Sequence, residues 1–106
     1  MRNLNDLLRQ AQDLQKKLEK INEELEQIEI EGSAQNIVKA VVNGKLEIIS
    51  ISFTSDIKEI DSETLADLIT VAIRDAQNKA KVVAQEKFAT LGAFSGLLPN
   101  FPNGIN

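Results

Sequence analysis

At 106 residues and 11.7 kDa the chain suits one domain with one modest core. It has no Cys and no His, which removes disulfides, thiol nucleophiles, imidazole bases and the usual zinc ligands, and with four Phe and no Trp or Tyr its core must be aliphatic. The net charge of −4 argues at face value against a polyanionic partner, but the charge is unevenly placed. Residues 1–20 carry Arg2, Arg9, Lys16, Lys17 and Lys20 against Asp6, Asp13 and Glu19. Residues 21–31 hold five Glu and no cation, and residues 74–91 turn basic again through Arg74, Lys79, Lys81 and Lys87 against Asp75 and Glu86.

The start of the chain, "MRNLNDLLRQ", has no apolar run of signal-peptide length, and nowhere do 18 apolar residues follow one another, so a cytosolic protein is expected. From Leu4 the apolar positions Leu4, Leu7, Ala11, Leu14, Leu18, Ile21, Leu25 and Ile28 alternate in steps of three and four, the seam of a coiled-coil-like helix of about 25 residues, or roughly 37 Å. The same register places Arg2, Arg9 and Lys16 seven residues apart on the stripe opposite the seam. Most helices with such a seam simply pack on their own domain or on a twin.

The period then shortens to two in "IEIE", which predicts a short strand, and "GSAQN" reads as a turn-rich link. "IVKAVVNGKLEIISISF" reads as a hairpin. Asn-Gly favours a two-residue type I′ turn, in which both central residues need positive φ; a turn at Asn43 and Gly44 pairs Val42 with Lys45, Val41 with Leu46 and Val38 with Ile49. In that register one face holds Ile37, Val41, Leu46 and Ile48, and the other holds Val38, Ala40, Val42, Ile49, Ile51 and Phe53. Two apolar faces exceed what two helices of one chain can cover, so the expectation is a homodimer through sheet faces.

After "TSDIKEI", Asp61 or Ser62 is expected to cap a second long helix with the stripe Leu65, Leu68, Ile69, Ala72, Ile73, Ala76, Ala80, Val83 and Phe88, stopped at Gly92. Asp56, Glu59 and Asp61 lack the spacing of a calcium loop and read as a solvated loop with a helix cap. The expected organisation is an α+β helix–sheet–helix domain over 1–91 and a Pro/Gly/Asn-rich tail over 92–106 whose Phe and Leu dock on a helix. If the two helices run antiparallel, both basic regions fall at one end of the molecule and the acidic run at the sheet.

The order helix, three strands, long helix, proline-bearing tail resembles the YbaB/EbfC family of small bacterial nucleoid-associated proteins. The resemblance is carried by "LNDLLRQAQDLQKKLEKINEELEQIEIEG", "VKAVVNGKLEIISISF" and "LADLITVAIRDAQNKAKVVAQEKFATLG", and covers nearly the whole chain, with Leu in helix 1 where many members are rich in Met. It implies a tweezer-like homodimer whose projecting helices bind double-stranded DNA. Basic residues of the terminal helices are implicated in DNA contact, here Arg2, Arg9, Lys16, Lys17, Lys20, Arg74, Lys79, Lys81 and Lys87. No aromatic platform lies among them, which favours duplex backbone contact over single-strand stacking.

The expectation is therefore a non-enzymatic, nucleoid-associated protein that binds duplex DNA with little sequence preference and alters its conformation or compaction, with effects on gene expression. No catalytic residue, metal, cofactor, small-molecule substrate or membrane partner is assigned. The rival reading is a prefoldin-like holdase chaperone or a coiled-coil interaction module, since coiled-coil helices flanking β-hairpins describe those proteins too.

Overall fold

The computed structural model describes residues 4–54 and 56–91. In chain order these are α1 (Leu4–Gln27), β1 (Ile30–Ala34), β2 (Val38–Val42), β3 (Ile48–Phe53) and α2 (Ser62–Ala89). The strands form one antiparallel sheet in the order β1-β2-β3. The α+β helix–sheet–helix arrangement is thus the one the sequence predicts. The molecule measures 71 × 26 × 16 Å with a radius of gyration of 19.3 Å, against about 13 Å for a compact domain of 100 residues. That elongation comes from α1, which is buried only at Ile21 and Leu25.

The helix α2 lies across β1 and β2. Ala72, Ala76 and Ala80 are fully buried over a strand surface made of Gly32, Ala34, Val38, Ala40 and Val42, with Leu65, Ile69 and Ile73 half-buried around it. Gly32 is the tightest point: a Cβ there would lie 2.2 Å from the Ala76 backbone N and 2.5 Å from the Ala72 carbonyl O. Gly32 therefore belongs to a strand, as do Ser33 and Ala34, and the reading of "GSAQN" as a link is corrected. Only Gln35 and Asn36 remain in the turn, at φ 52° and 56°. These are the paired positive φ values expected at the Asn-Gly site.

That site is built differently. Neither Asn43 nor Gly44 has positive φ, and the loop runs through five residues from Asn43 to Glu47, closed by Asn43 N–H to Glu47 O at 3.0 Å. The Asn43 carboxamide, 5% exposed, accepts from Lys45 N–H (2.9 Å) and Glu47 N–H (3.0 Å) and donates to Glu47 Oε1 (2.7 Å). A side chain that captures two backbone N–H groups stabilises an alternative to the two-residue turn. Gly44 is needed for closeness, not for φ: its N–H donates to Leu25 O at 2.8 Å, and a Cβ would come within 2.7 Å of the Leu25 side chain. Leu46 takes the positive φ instead, at 71°.

The register changes accordingly. Val42 pairs with Ile48, Val41 with Ser50, Ala40 with Ile51 and Val38 with Phe53, with a bulge at Val41/Val42 that leaves Ile49 as the extra residue. Because cross-strand partners share a face, the side away from α2 carries Glu31, Ser33, Lys39, Val41, Ser50 and Ser52. It is polar except for Val41, so the expectation of two apolar faces is overturned. A one-residue bulge moves every later side chain of the strand to the opposite face.

The second helix follows its expected stripe. Asp61 is its N-cap residue without a side-chain cap bond, and the helix ends at Thr90, whose N–H and Oγ1 both donate to Lys87 O. The stop expected at Gly92 and the tail over 92–106 lie outside the described residues.

The Gly32 contact yields a stability prediction. Gly32→Ala should destabilise the fold by about 1–3 kcal/mol, because the new methyl meets helix backbone that has no side chain to yield, and Gly32→Val should cost more. Urea denaturation of the three proteins measures it; an Ala variant as stable as the parent would contradict this packing.

Candidate nucleic-acid interface

Contacts between the strands and helices fix where the basic residues lie. Ser33 N–H donates to Asp75 Oδ2 at 3.0 Å, Lys79 Nζ reaches Glu31 O at 3.5 Å, and Lys87 Nζ meets Glu24 Oε1 at 3.4 Å. These pairs step backward along α1 and β1 as they step forward along α2, so the two helices run antiparallel, which the sequence reading left as a condition. Residues 74–81 therefore lie beside the sheet, and α2 ends near Ile21, where Leu91 is buried with Ile21 and Leu25. Arg9 lies beyond that end, whereas Lys16 sits between Leu14 and Leu18, which pack on the same cluster. The basic stretches are thus separated along the long axis, and the expectation that they meet at one end is corrected.

The acidic run has a structural partner set. Glu24 pairs with Lys87 at 3.4 Å, Glu26 with Lys45 at 3.2 Å and Glu31 with Lys39 at 3.5 Å, cations from α2, from the loop after β2 and from β2 itself. Lys79 is also engaged, with Asp75 at 3.1 Å. Of the nine basic residues picked out from the sequence, Lys79 and Lys87 thus serve internal contacts. Arg9, Lys16, Lys20, Arg74 and Lys81 are exposed and take no ion pair with another described residue. Lys17 is exposed as well, and Arg2 lies outside the described residues.

Helical periodicity separates the exposed cations into two faces. On α1, Arg9, Lys16 and Lys20 lie opposite the seam; on α2, Arg74 and Lys81, seven residues apart, lie opposite Ala72, Ala76 and Ala80. No described helix is long and apolar enough to cross a membrane, and no cluster of potential metal ligands is present among the described residues.

Residues 1–95 match the YbaB/EbfC DNA-binding family. The chain belongs to that family. Among its relatives, a nucleoid-associated protein of Caldanaerobacter subterraneus subsp. tengcongensis is 38% identical over 96 residues, covering 88% of this chain and 86% of that one. One from Streptococcus suis is 39% identical over 101 residues, covering 93% and 99%. One from Hahella chejuensis is 33% identical over 100 residues, covering 93% of each. As a YbaB/EbfC member the chain falls in a DNA-binding family, and the relatives named as nucleoid-associated are like it over nearly their full length.

Sequence reasoning gave other roles to several residues that matter to this geometry. Asp75 and Lys79 close the outer edge of β1, while Ile48, Ile49 and Phe53, 52%, 48% and 41% exposed, mark β3 as an apolar edge strand. The i,i+4 spacing of Asp75 and Lys79 is visible in the sequence; the strand they reach is not.

Asp75 also carries a pH dependence. Its carboxyl is held below the ordinary value of 3.8, first by the Ser33 N–H and then by Lys79, with desolvation acting the other way. A depressed folded-state pKa contributes stability that is present above 3.8 and lost as pH falls through the lower folded value. Asp75→Asn keeps an acceptor for Ser33 but loses the charge. It should therefore be slightly less stable than the parent at neutral pH and converge with it in acid, read as urea midpoints. A constant gap across pH would remove the electrostatic account.

Proposed function

We propose that the chain acts as a homodimer that binds duplex DNA with little sequence preference and alters its conformation or compaction in the cytoplasm. The observation that carries the reading is the basic stripe of Arg9, Lys16 and Lys20, which take no ion pair with another described residue, on a helix that projects beyond the core, while three of the five Glu in the acidic run pair with lysines of the same molecule. Neutralising phosphates with such residues releases counterions and needs no base-specific contact. Arg74 and Lys81 form a second, smaller basic face, and Lys17 flanks the first. The local arrangement outweighs the overall −4, though the total favours few phosphate contacts.

The edge of β3 supports the dimer better than the sheet faces do. Asp75 and Lys79 cover the edge of β1, whereas no other described element hydrogen-bonds the outer edge of β3. An uncovered apolar edge invites pairing with another strand. Two copies joined there would extend the sheet and bring Leu65, Ile69 and Ile73, on the flank of α2 opposite Asp75, toward their counterparts.

Two measurements test these readings separately. Arg9→Glu with Lys16→Glu should weaken duplex binding across unrelated sequences and flatten the dependence of log affinity on log salt by about 0.9 for each phosphate no longer neutralised, while Lys58→Glu, in the loop before α2, should change little. Equal binding by the double variant in gel-shift titrations would overturn the stripe as the contact surface; no wild-type binding at low salt, with suppression of client aggregation, would favour a holdase. For assembly, the wild type should sediment at twice its monomer mass at micromolar concentration and Ile49→Asp as a folded monomer, since Ile49 is half exposed and outside the core. A monomeric wild type would refute the dimer.

A further inference from the structure

The pair Asn43 and Gly44 carries a chemistry that nucleic-acid binding leaves unused. An asparagine side chain is most open to attack by the main-chain nitrogen of the next residue when that residue is glycine, which has no Cβ to obstruct the approach. In that reaction the Gly44 nitrogen gives up its proton and bonds to Cγ of Asn43, the Cγ–Nδ2 bond breaks, and the side-chain nitrogen leaves as ammonia. Water then opens the imide ring at either carbonyl, giving an aspartyl or an isoaspartyl link. Nothing is oxidised or reduced.

The fold treats the reacting groups differently. Asn43 Oδ1 accepts from the Lys45 and Glu47 N–H groups, and Nδ2 donates to Glu47 Oε1, all within the loop itself. Donors on Oδ1 stabilise the oxyanion that attack would create, so the loop alone does not protect the carbonyl. The guard stands on the nucleophile. Gly44 is buried, its N–H donates to Leu25 O at 2.8 Å, and the Leu25 side chain lies within 2.7 Å of where a Cβ would be. Leu25 belongs to α1, so the hydrogen bond that keeps the Gly44 proton from solvent base comes from outside the loop. That helix is buried only at Ile21 and Leu25, whereas the sheet and α2 share the larger core, so α1 lifts at lower cost than the whole fold opens.

We propose that Asn43 is a latent deamidation site guarded by α1, which becomes reactive whenever the helix lifts and frees the Gly44 nitrogen. The isoaspartyl product adds a main-chain carbon between residues 43 and 44 and so displaces the Gly44 N–H from Leu25 O. Conversion is one-way, and it leaves α1 unseated from the loop. The inference concerns the joint between α1 and the sheet and is independent of nucleic-acid binding and of the dimer.

Hydrogen exchange of the Gly44 amide reads the opening, and peptide mass spectrometry reads aspartate and isoaspartate at position 43. Asn103→Gln in the full-length chain silences the other Asn-Gly pair of the sequence. In mildly alkaline buffer the native chain should convert about tenfold or more slowly than the same chain in guanidinium chloride. Leu25→Ala should raise Gly44 exchange and Asn43 conversion by the same factor, while the amide of Ala40, in the central strand, keeps its protection. Equal rates in the native and denatured chain would overturn the proposal, as would conversion that fails to follow Gly44 exchange or rises only when Ala40 loses protection. A thiol cross-link between Glu24→Cys and Lys87→Cys, at the pair now 3.4 Å apart, pins α1 without touching the loop and should slow conversion below that of the parent. An unchanged rate would equally overturn the guard. Isoaspartyl chains made in denaturant and returned to native buffer should exchange Gly44 freely; retained protection there would overturn the unseating of α1.

Discussion

The contact between Gly32 and the backbone of α2 at Ala72 and Ala76 governs the rest of the structure. With Ala72, Ala76 and Ala80 facing Gly32, Ala34 and Ala40, helix and sheet approach as closely as backbone atoms permit. Small residues contribute little apolar area each, but close approach fills the space densely in a chain without large aromatics. The helix is thereby held over β1 and β2, and β3 is left outside its cover. The same placement brings Asp75 to the Ser33 N–H and carries the end of α2 to Ile21 and Leu25.

The attachment of α1 depends on a second close approach, Gly44 against Leu25, backed by the buried Asn43 network. Around it, Lys39, Lys45 and Lys87 meet the acidic run from three directions. These ion pairs are exposed, and such pairs contribute little stability individually. Their consequence is electrostatic: they hold the negative charge of the acidic run at the joint between α1 and the sheet. A net charge of −4 thus coexists with a projecting helix whose outer stripe is cationic.

The sheet has unequal edges. β1 presents its outer N–H to a carboxylate of its own helix, whereas β3 displays half-exposed Ile48, Ile49 and Phe53 on an outer edge that no other described element pairs. Monomeric proteins usually protect such an edge with charge, proline or a covering element. Here the bulge at Ile49 is the one irregularity, and it turns serines rather than isoleucines toward the polar face. The proposed association along an edge rests on this asymmetry.

The helices were legible in the sequence because their periodicity is local: the seam from Leu4 to Ile28 and the stripe from Leu65 to Phe88 need no knowledge of partners. The cations Arg9 and Lys16 opposite the seam of α1 followed from the same register, as did the family resemblance from the order of elements. Tertiary structure decided what depends on residues far apart in the chain. Gly32 and Ser33 look like turn residues until a helix forty positions later needs a strand without a Cβ. Asn43 and Gly44 look like a tight turn until Leu25 claims the glycine N–H and Glu47 the asparagine side chain. Lys79 and Lys87 look like free cations until Asp75 and Glu24 meet them. Sequence pattern reports which face of an element is apolar or charged; only packing, which brings distant backbone and side chains within bonding distance, determines which of those groups are already spent.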